Sequence, residues 1–158
     1  MIRTIKIFIL ITIALFFTLV AFDNVMDYPA NQQLVIHVLS MDTTFKDPQI
    51  MKHAVTDARV QQWAYNLIIG WEAFTALIIW LGIGILIKHR KLPSFNTAKK
   101  IGVLGLFLGF LLYMLGFIEI GGEWFAMWQS TARNGQATAG MFVSFILLTM
   151  IFLVIEDK

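Results

Sequence analysis

Four long apolar stretches, separated by three polar segments, dominate the chain. They cover about residues 5–22, 63–87, 101–118 and 137–155. Each is close to or above the ~20 residues with which an α-helix crosses about 30 Å of hydrocarbon. The pattern therefore predicts an all-α membrane protein. We expect a bundle of four transmembrane helices with a long first outer segment that is partly helical.

The charges between these stretches predict their orientation. The segment 88–100 contains five basic residues and no acid, which is typical of a cytoplasmic loop. Arg3 and Lys6 place the N-terminus on the same side, and four spans return the C-terminal residues Glu156-Asp157-Lys158 to it. Segments 23–61 and 119–136 are then outer segments. We expect residues 1–158 to form a single membrane domain.

Composition agrees with this class and excludes several others. Hydrophobic residues make up 58% of the chain and charged residues 14%, against about 25% charged in soluble domains. The net charge of +2 is explained by basic residues beside the spans, so we expect no nucleic-acid partner. The chain has no cysteine, which excludes disulfides and thiolate metal sites.

The first outer segment, 23–61, has a net charge of −2 and two prolines. Between Pro29 and Pro48, apolar residues recur at helical spacing at Leu34, Val35, Val38 and Leu39, which predicts a short amphipathic helix. Asp47 followed by Pro48 predicts a second helix start, from which a helix runs into the second span.

Glu72 is the one charged residue inside the second span. A carboxylate in hydrocarbon is costly, so such residues face the bundle interior and are paired or protonated. The functional interpretation is a proton, cation or ligand site. The alternative is a structural carboxyl, for which Tyr65 and Thr75 on the same helical face are candidate partners.

The stretch 119–136 concentrates polar and aromatic residues between two spans. Glu119 and Glu123 share a face if the helix continues, whereas Gly121-Gly122 could end it. Paired acids can hold a proton or a cation. The alternative is a pair of solvated loop acids, one of them bound to Arg133.

Aromatic residues in the same stretch allow two interpretations. Trp124 and Trp128 are four residues apart, and together they could form a cation–π cage. Tryptophans near span ends more often form a belt at the membrane interface. We predict no metal site, no cofactor and no catalytic set.

Glycines in the third span repeat at helical spacing. Gly102, Gly109 and Gly116 are seven residues apart, and Gly105 with Gly109 forms a GxxxG pair. Small residues on one face allow helices to approach closely in lipid. We expect this face to pack inside the bundle rather than to dimerise two copies.

Two polar blocks resemble a known family. HVLSMDTTF (37–45), and GGEWFAMWQS (121–130) followed by Asn-Gly-Gln (134–136), are similar to blocks of a bacterial family of small integral membrane proteins of unknown function. The resemblance covers nearly the whole chain and four spans in similar order. It implies a bacterial inner-membrane location and no established activity. The family pattern has a tryptophan immediately before Asn-Gly-Gln, where this chain has Arg133.

Three functional hypotheses follow. The first is a non-enzymatic accessory or interaction subunit with a polar outer cap, in contact with the lipid bilayer and with a larger membrane-protein partner or a second copy. The second is a small proton- or cation-coupled transporter or binding protein that uses Glu72. The third is a membrane enzyme acting on a lipid-linked substrate, with His37 and the paired acids as acid–base groups. The candidate site residues are Glu72, Glu119, Glu123, Trp124, Trp128, Arg133, Asn134, Gln136, His37 and Asp42.

Overall fold

The computed structural model describes residues 1–157, and this part of the chain contains five α-helices. They are α1 (Ile2–Met26), α2 (Tyr28–Ser40), α3 (Ala58–His89), α4 (Phe95–Leu111) and α5 (Gln136–Val154). α4 continues directly into a π-helix, Leu112–Trp124. Short 3-10 turns occur at Met51–His53 and Met127–Gln129. The predicted all-α class is confirmed.

Four of these helices are long and apolar enough to cross a membrane. They are α1, α3, α4 with its π-helical extension, and α5. The remaining helix, α2, carries the apolar spacing predicted for the first outer segment, and it begins with Pro29 in its first turn. The short helix predicted between Pro29 and Pro48 is therefore confirmed.

The core lies between the four long helices α1, α3, α4 and α5. Its fully buried members include Leu10, Phe17, Ile79, Leu106 and Ile146. α3 and α4 cross at glycines. A Cβ added to Gly82 would lie 2.6 Å from the backbone nitrogen of Gly102, and one added to Gly105 would lie 2.9 Å from the backbone nitrogen of Ile79. The prediction that the glycine face of the third span packs inside the bundle is confirmed here.

The connections gather at opposite ends of the bundle. Residues 27–57 and 119–135 form the end that we call the cap. There the Phe45 amide donates to Gln129 Oε1 (2.9 Å), and Met41 is buried against Phe125 and Ala126. At the other end, called the terminal end, Arg3 donates to the backbone oxygens of Arg90 and Leu92. The two polar blocks at 37–45 and 121–130 thus contact each other in the cap.

The predicted helix start at Asp47 is wrong as the beginning of the second span. Asp47 Oδ1 accepts a hydrogen bond from the Gln49 amide (2.7 Å), but only a 3-10 turn follows. The Val55 amide then donates to the Leu39 carbonyl (2.7 Å), which holds the chain against the end of α2. Asp57 caps α3 instead, because its Oδ1 accepts from the Arg59 and Val60 amides.

The stretch 119–136 is more helical than expected. The π-helix passes through Gly121-Gly122 and ends at Trp124, so these glycines do not end the helix. A Cβ on Gly122 would meet the Gln136 side chain, which would have to move to accommodate it. The predicted C-terminal tail includes Lys158, which lies outside the described residues.

Candidate functional site

The Glu72 carboxyl lies at the centre of a polar network between α1 and α3. Glu72 is 2% exposed, and its Oε2 accepts a hydrogen bond from Asn24 Nδ2 (2.8 Å). The hydroxyl of Tyr65 donates to the backbone oxygen of Asn24 (2.9 Å) and lies 3.3 Å from its Oδ1. Asn24 therefore joins two buried side chains of α3, those of Tyr65 and Glu72.

Tyr65 was expected near Glu72, and it contributes through Asn24. Thr75 does not serve as the expected partner. Its Oγ1 is buried and has no hydrogen-bond partner among residues 1–157. Tyr28 at the start of α2 packs edge-on against the Tyr65 ring at 4.7 Å, and its hydroxyl donates to Asn66 Oδ1 (2.7 Å). These contacts hold the cap end of α3 against α1 and α2.

A cavity of about 310 Å³ connects this network to the cap. The polar residues that line it are Asn24, Asn31, Tyr65, Glu72, Arg133 and Asn134. The rest of the wall includes Leu34 and Val35 of α2, Ile68 of α3 and Phe117 of the π-helix. Because Arg133 and Asn134 belong to the stretch 119–136, part of that stretch and the buried acid line one chamber.

The loop before α5 presents Arg133 and Asn134 to this chamber. The Arg133 amide donates to Ser130 Oγ (2.9 Å), and Asn134 Oδ1 accepts from the Gln136 amide (3.0 Å) at the start of α5. Ser130 is itself buried. These hydrogen bonds order a short polar loop of the cap. The loop is bonded to buried Ser130 on one side and to the start of α5 on the other.

The acids of the π-helix lie elsewhere. Glu119 and Glu123 are both exposed and are absent from the chamber wall. Glu123 Oε1 accepts a hydrogen bond from Gln136 Nε2 (3.1 Å). The two acids and Gln136 therefore belong to the cap surface, apart from Glu72.

The tryptophans and His37 have separate partners in the cap. Trp124 stacks on His53 with ring centroids 4.1 Å apart, and Trp128 meets Phe45 edge-on at 5.9 Å. Since the two indoles pack against different rings, they do not enclose a common cation-π cage. His37 Nδ1 lies 2.7 Å from Asp42 Oδ2. The acid–base groups considered for an enzyme are thus divided among different contacts.

Sequence reasoning missed Asn24, which joins Glu72 to Tyr65. It stands two residues beyond the predicted end of the first span, where an amide is ordinarily solvated. The only signal was its type, because an amide side chain can donate and accept at once. That property matters only when two partners are placed on either side of it, and the helix packing decides this.

A second buried polar cluster lies at the terminal end. Lys6 Nζ and Lys99 Nζ both contact Asp157 Oδ2, at 2.8 and 2.6 Å, and all three side chains are buried. Both ammonium groups also donate to the backbone oxygen of Ile155. Burial alone would raise the pKa of Asp157, but the hydrogen bonds from the two lysines outweigh it and lower the pKa below its ordinary value. The sequence had suggested only that these charges set the topology.

Comparison with known proteins agrees with the class of the fold. A family described as "Predicted small integral membrane protein (DUF2165)" matches residues 2–156, which is nearly the whole chain. No curated protein and no solved structure matches the chain significantly.

Proposed function

We propose that this chain, which belongs to the DUF2165 family of small integral membrane proteins, binds a small organic cation of the ammonium type at Glu72. The observation that carries the proposal is the chamber of about 310 Å³ whose wall joins buried Glu72 to the polar loop residues Arg133 and Asn134. A non-enzymatic binding protein needs such a chamber and no catalytic set.

The chemistry of the wall favours an ammonium group. Asn24 occupies one carboxyl oxygen of Glu72. A cation in the chamber neutralises the carboxylate and offers it further N–H donors, in a site where charge interactions are stronger than in water. Asn31 lines the same chamber, and its amide oxygen can accept from another donor of the same cation. Arg133 in the wall opposes a cation, and this limits affinity and favours ligand release.

Binding is tested with purified protein in nanodiscs and methylammonium chloride, with sodium chloride as the salt control. We expect methylammonium to raise the melting temperature of the wild type and to leave Glu72→Gln unchanged. Glu119→Gln is the matched control, because it removes an exposed acid that lies outside the chamber wall. Equal stabilisation of wild type and Glu72→Gln, or none of either, would refute the proposal.

The coupled-transport form of this proposal is tested in liposomes. A methylammonium gradient should then drive proton movement through the wild type, which a pH-sensitive dye reports. Glu72→Gln should give no such coupled signal. Four spans leave little room for a pathway in one copy, so transport would need an oligomer. Binding without any signal would restrict the function to binding.

A second candidate is an accessory subunit whose cap docks a larger membrane protein. The supporting observation is the exposure of Phe45 (70%), Trp124 (56%) and Trp128 (49%) on the cap. Aromatic residues with this exposure are enriched in interfaces. Mild crosslinking in native membranes should then recover one stable larger partner, and a solitary monomer would argue against this role.

We further propose a bacterial inner-membrane location with both termini and segment 88–100 in the cytoplasm. The support is the set of basic residues at the terminal end, which include Arg3, Lys88, Arg90, Lys91 and Lys100. The cap then faces the outside, and the chamber opens towards that side of the membrane.

A further inference from the structure

A second cavity lies beside the Glu72 chamber. Its volume is about 220 Å³, and its wall consists of apolar side chains and glycines. Residues of α2, α3 and the π-helix form this wall, among them Val38, Leu39, Ala64, Leu67, Gly116 and Ile120. We call it the apolar chamber.

The two chambers share part of their walls. Leu34, Val35, Ile68 and Phe117 line both of them. One of the two spaces has an acid in its wall, and the other has only apolar residues and glycines. Leu34 and Val35 lie on α2, which packs on α3 at the cap end. The two chambers are therefore direct neighbours at the cap end of α3.

We infer that the ligand is an amphiphilic amine, whose ammonium group binds at Glu72 and whose short apolar chain occupies the apolar chamber. This inference rests on the proposed function, because it assigns the ammonium to the same carboxyl. Charge complementarity places the head, since the wall of the apolar chamber holds no group that could pair with a cation. Burial of the chain then adds binding free energy in proportion to its length, so each methylene multiplies the affinity by a similar factor.

The test compares methyl-, propyl- and pentylammonium in nanodiscs, with 1-pentanol as a control for partitioning into lipid. A methylene that moves from water into an apolar site strengthens binding by up to about fourfold. We expect affinity to rise by at least about tenfold from methyl- to pentylammonium. Pentanol should not stabilise the protein.

Filling the apolar chamber separates this inference from the proposed function. Ala64 lines only the apolar chamber, so Ala64→Phe should abolish the gain with chain length and leave methylammonium binding unchanged. Ala73→Phe is the control, since Ala73 is an exposed residue of the same helix outside both walls. Val38→Phe provides a second filling variant on α2 if Ala64→Phe does not fold.

The outcomes separate the inference about the apolar chain from the proposed ammonium binding. The inference that the ligand's apolar chain occupies the apolar chamber is wrong if affinity does not depend on chain length. It is also wrong if the increase in affinity with chain length survives in both filling variants. Ammonium binding at Glu72 stands in both cases. A lipid acyl chain that permanently fills the apolar chamber would give this same flat result. If no ammonium ion binds the wild type, both the proposed function and this inference fail.

Discussion

At the scale of single residues, Asn24 and Asp157 show how polar groups are held at the two ends of the bundle. The side-chain amide of Asn24 donates to Glu72 and its backbone oxygen accepts from Tyr65, so one residue bonds to both an acid and a phenol. Asp157 accepts from both Lys6 and Lys99. Asn24 lies near the end of α1, and Asp157 lies near the end of the described chain. Each of these residues bonds to two buried groups that belong to other helices.

Replacing Asp157 should destabilise the fold. Asp157→Asn leaves the buried ammonium groups of Lys6 and Lys99 without a carboxylate, and breaking a buried ion pair in this way costs roughly 3 kcal/mol or more. We expect a clearly lower melting temperature in detergent. Glu156→Gln is the control, because it removes the same charge from the exposed neighbouring residue. Equal effects of the two variants would contradict the role of Asp157.

The same cluster predicts the direction of a pH effect. The pKa of Asp157 is lower in the folded protein than its ordinary value, because Lys6 and Lys99 donate hydrogen bonds to it. Its contribution to stability is therefore complete above the ordinary pKa of an aspartate and is lost as the pH falls through the folded value. The difference in melting temperature between wild type and Asp157→Asn should shrink in that acidic range.

At the scale of elements, the π-helix and α2 contribute to the walls of both chambers. The π-helix spans 13 residues, whereas most π-helical segments are single turns, often near functional sites. It places Phe117 in both chamber walls and Gly116 in the apolar one. The chambers thus form where α4 changes its helical period and α2 covers the bundle.

The crossing of α3 and α4 predicts a sharp difference between two glycines of α3. Gly82→Ala places a Cβ against the Gly102 backbone, which cannot move as a side chain can, and overpacking of this kind costs about 1–3 kcal/mol. Gly84→Ala meets nothing within 4 Å and should be neutral or slightly stabilising. Melting temperatures of the two variants in detergent test this, and a stable Gly82→Ala would contradict the close approach.

At the scale of the whole molecule, charge is divided between the ends of the bundle. The segment 23–61, most of which lies in the cap, has a net charge of −2, and the segment 88–100 at the terminal end has five basic residues and no acid. Basic residues are retained on the cytoplasmic side during insertion. In the proposed orientation, the acid-containing chamber lies at the end where a cation from outside would arrive.

The orientation can be tested directly because the chain has no cysteine. Lys52→Cys in the cap and Lys91→Cys at the terminal end replace the same residue type at exposed positions. A membrane-impermeant maleimide should label Lys52→Cys in intact cells and Lys91→Cys only after permeabilisation. The opposite pattern would reverse the proposed topology.

Much of the architecture could be predicted because lipid imposes a simple rule on sequence. Backbone groups in hydrocarbon must bond within a helix, so long apolar runs specify helices almost by themselves. α2 could be predicted from the helical spacing of its apolar residues Leu34, Val35, Val38 and Leu39, which lie on one face of a helix. The start of α3 was missed, because two Asp-led starts, at Asp47 and Asp57, have comparable local signals and a tertiary contact of Val55 decides between them.

The structure brings only some of the candidate residues together. Glu72, Arg133 and Asn134 line one chamber, whereas Glu119, Glu123, Trp124, Trp128, Gln136, His37 and Asp42 lie outside its wall. Residue type and proximity in sequence suggested that all of these could act together. Which of them face a common space depends on helix rotation and on the path of the cap, and neither follows from local sequence.

The sequence by itself determined the class of the protein, the number of long apolar helices and the presence of a single acid within the second span. These properties depend on the cost of polar groups in lipid, which each segment meets on its own. The tertiary structure alone decided that Asn24 joins Glu72 to Tyr65, that Asp157 lies between two buried lysines, and that a polar and an apolar chamber adjoin. Each of these requires side chains from separate helices to meet, and only the packed bundle brings them together.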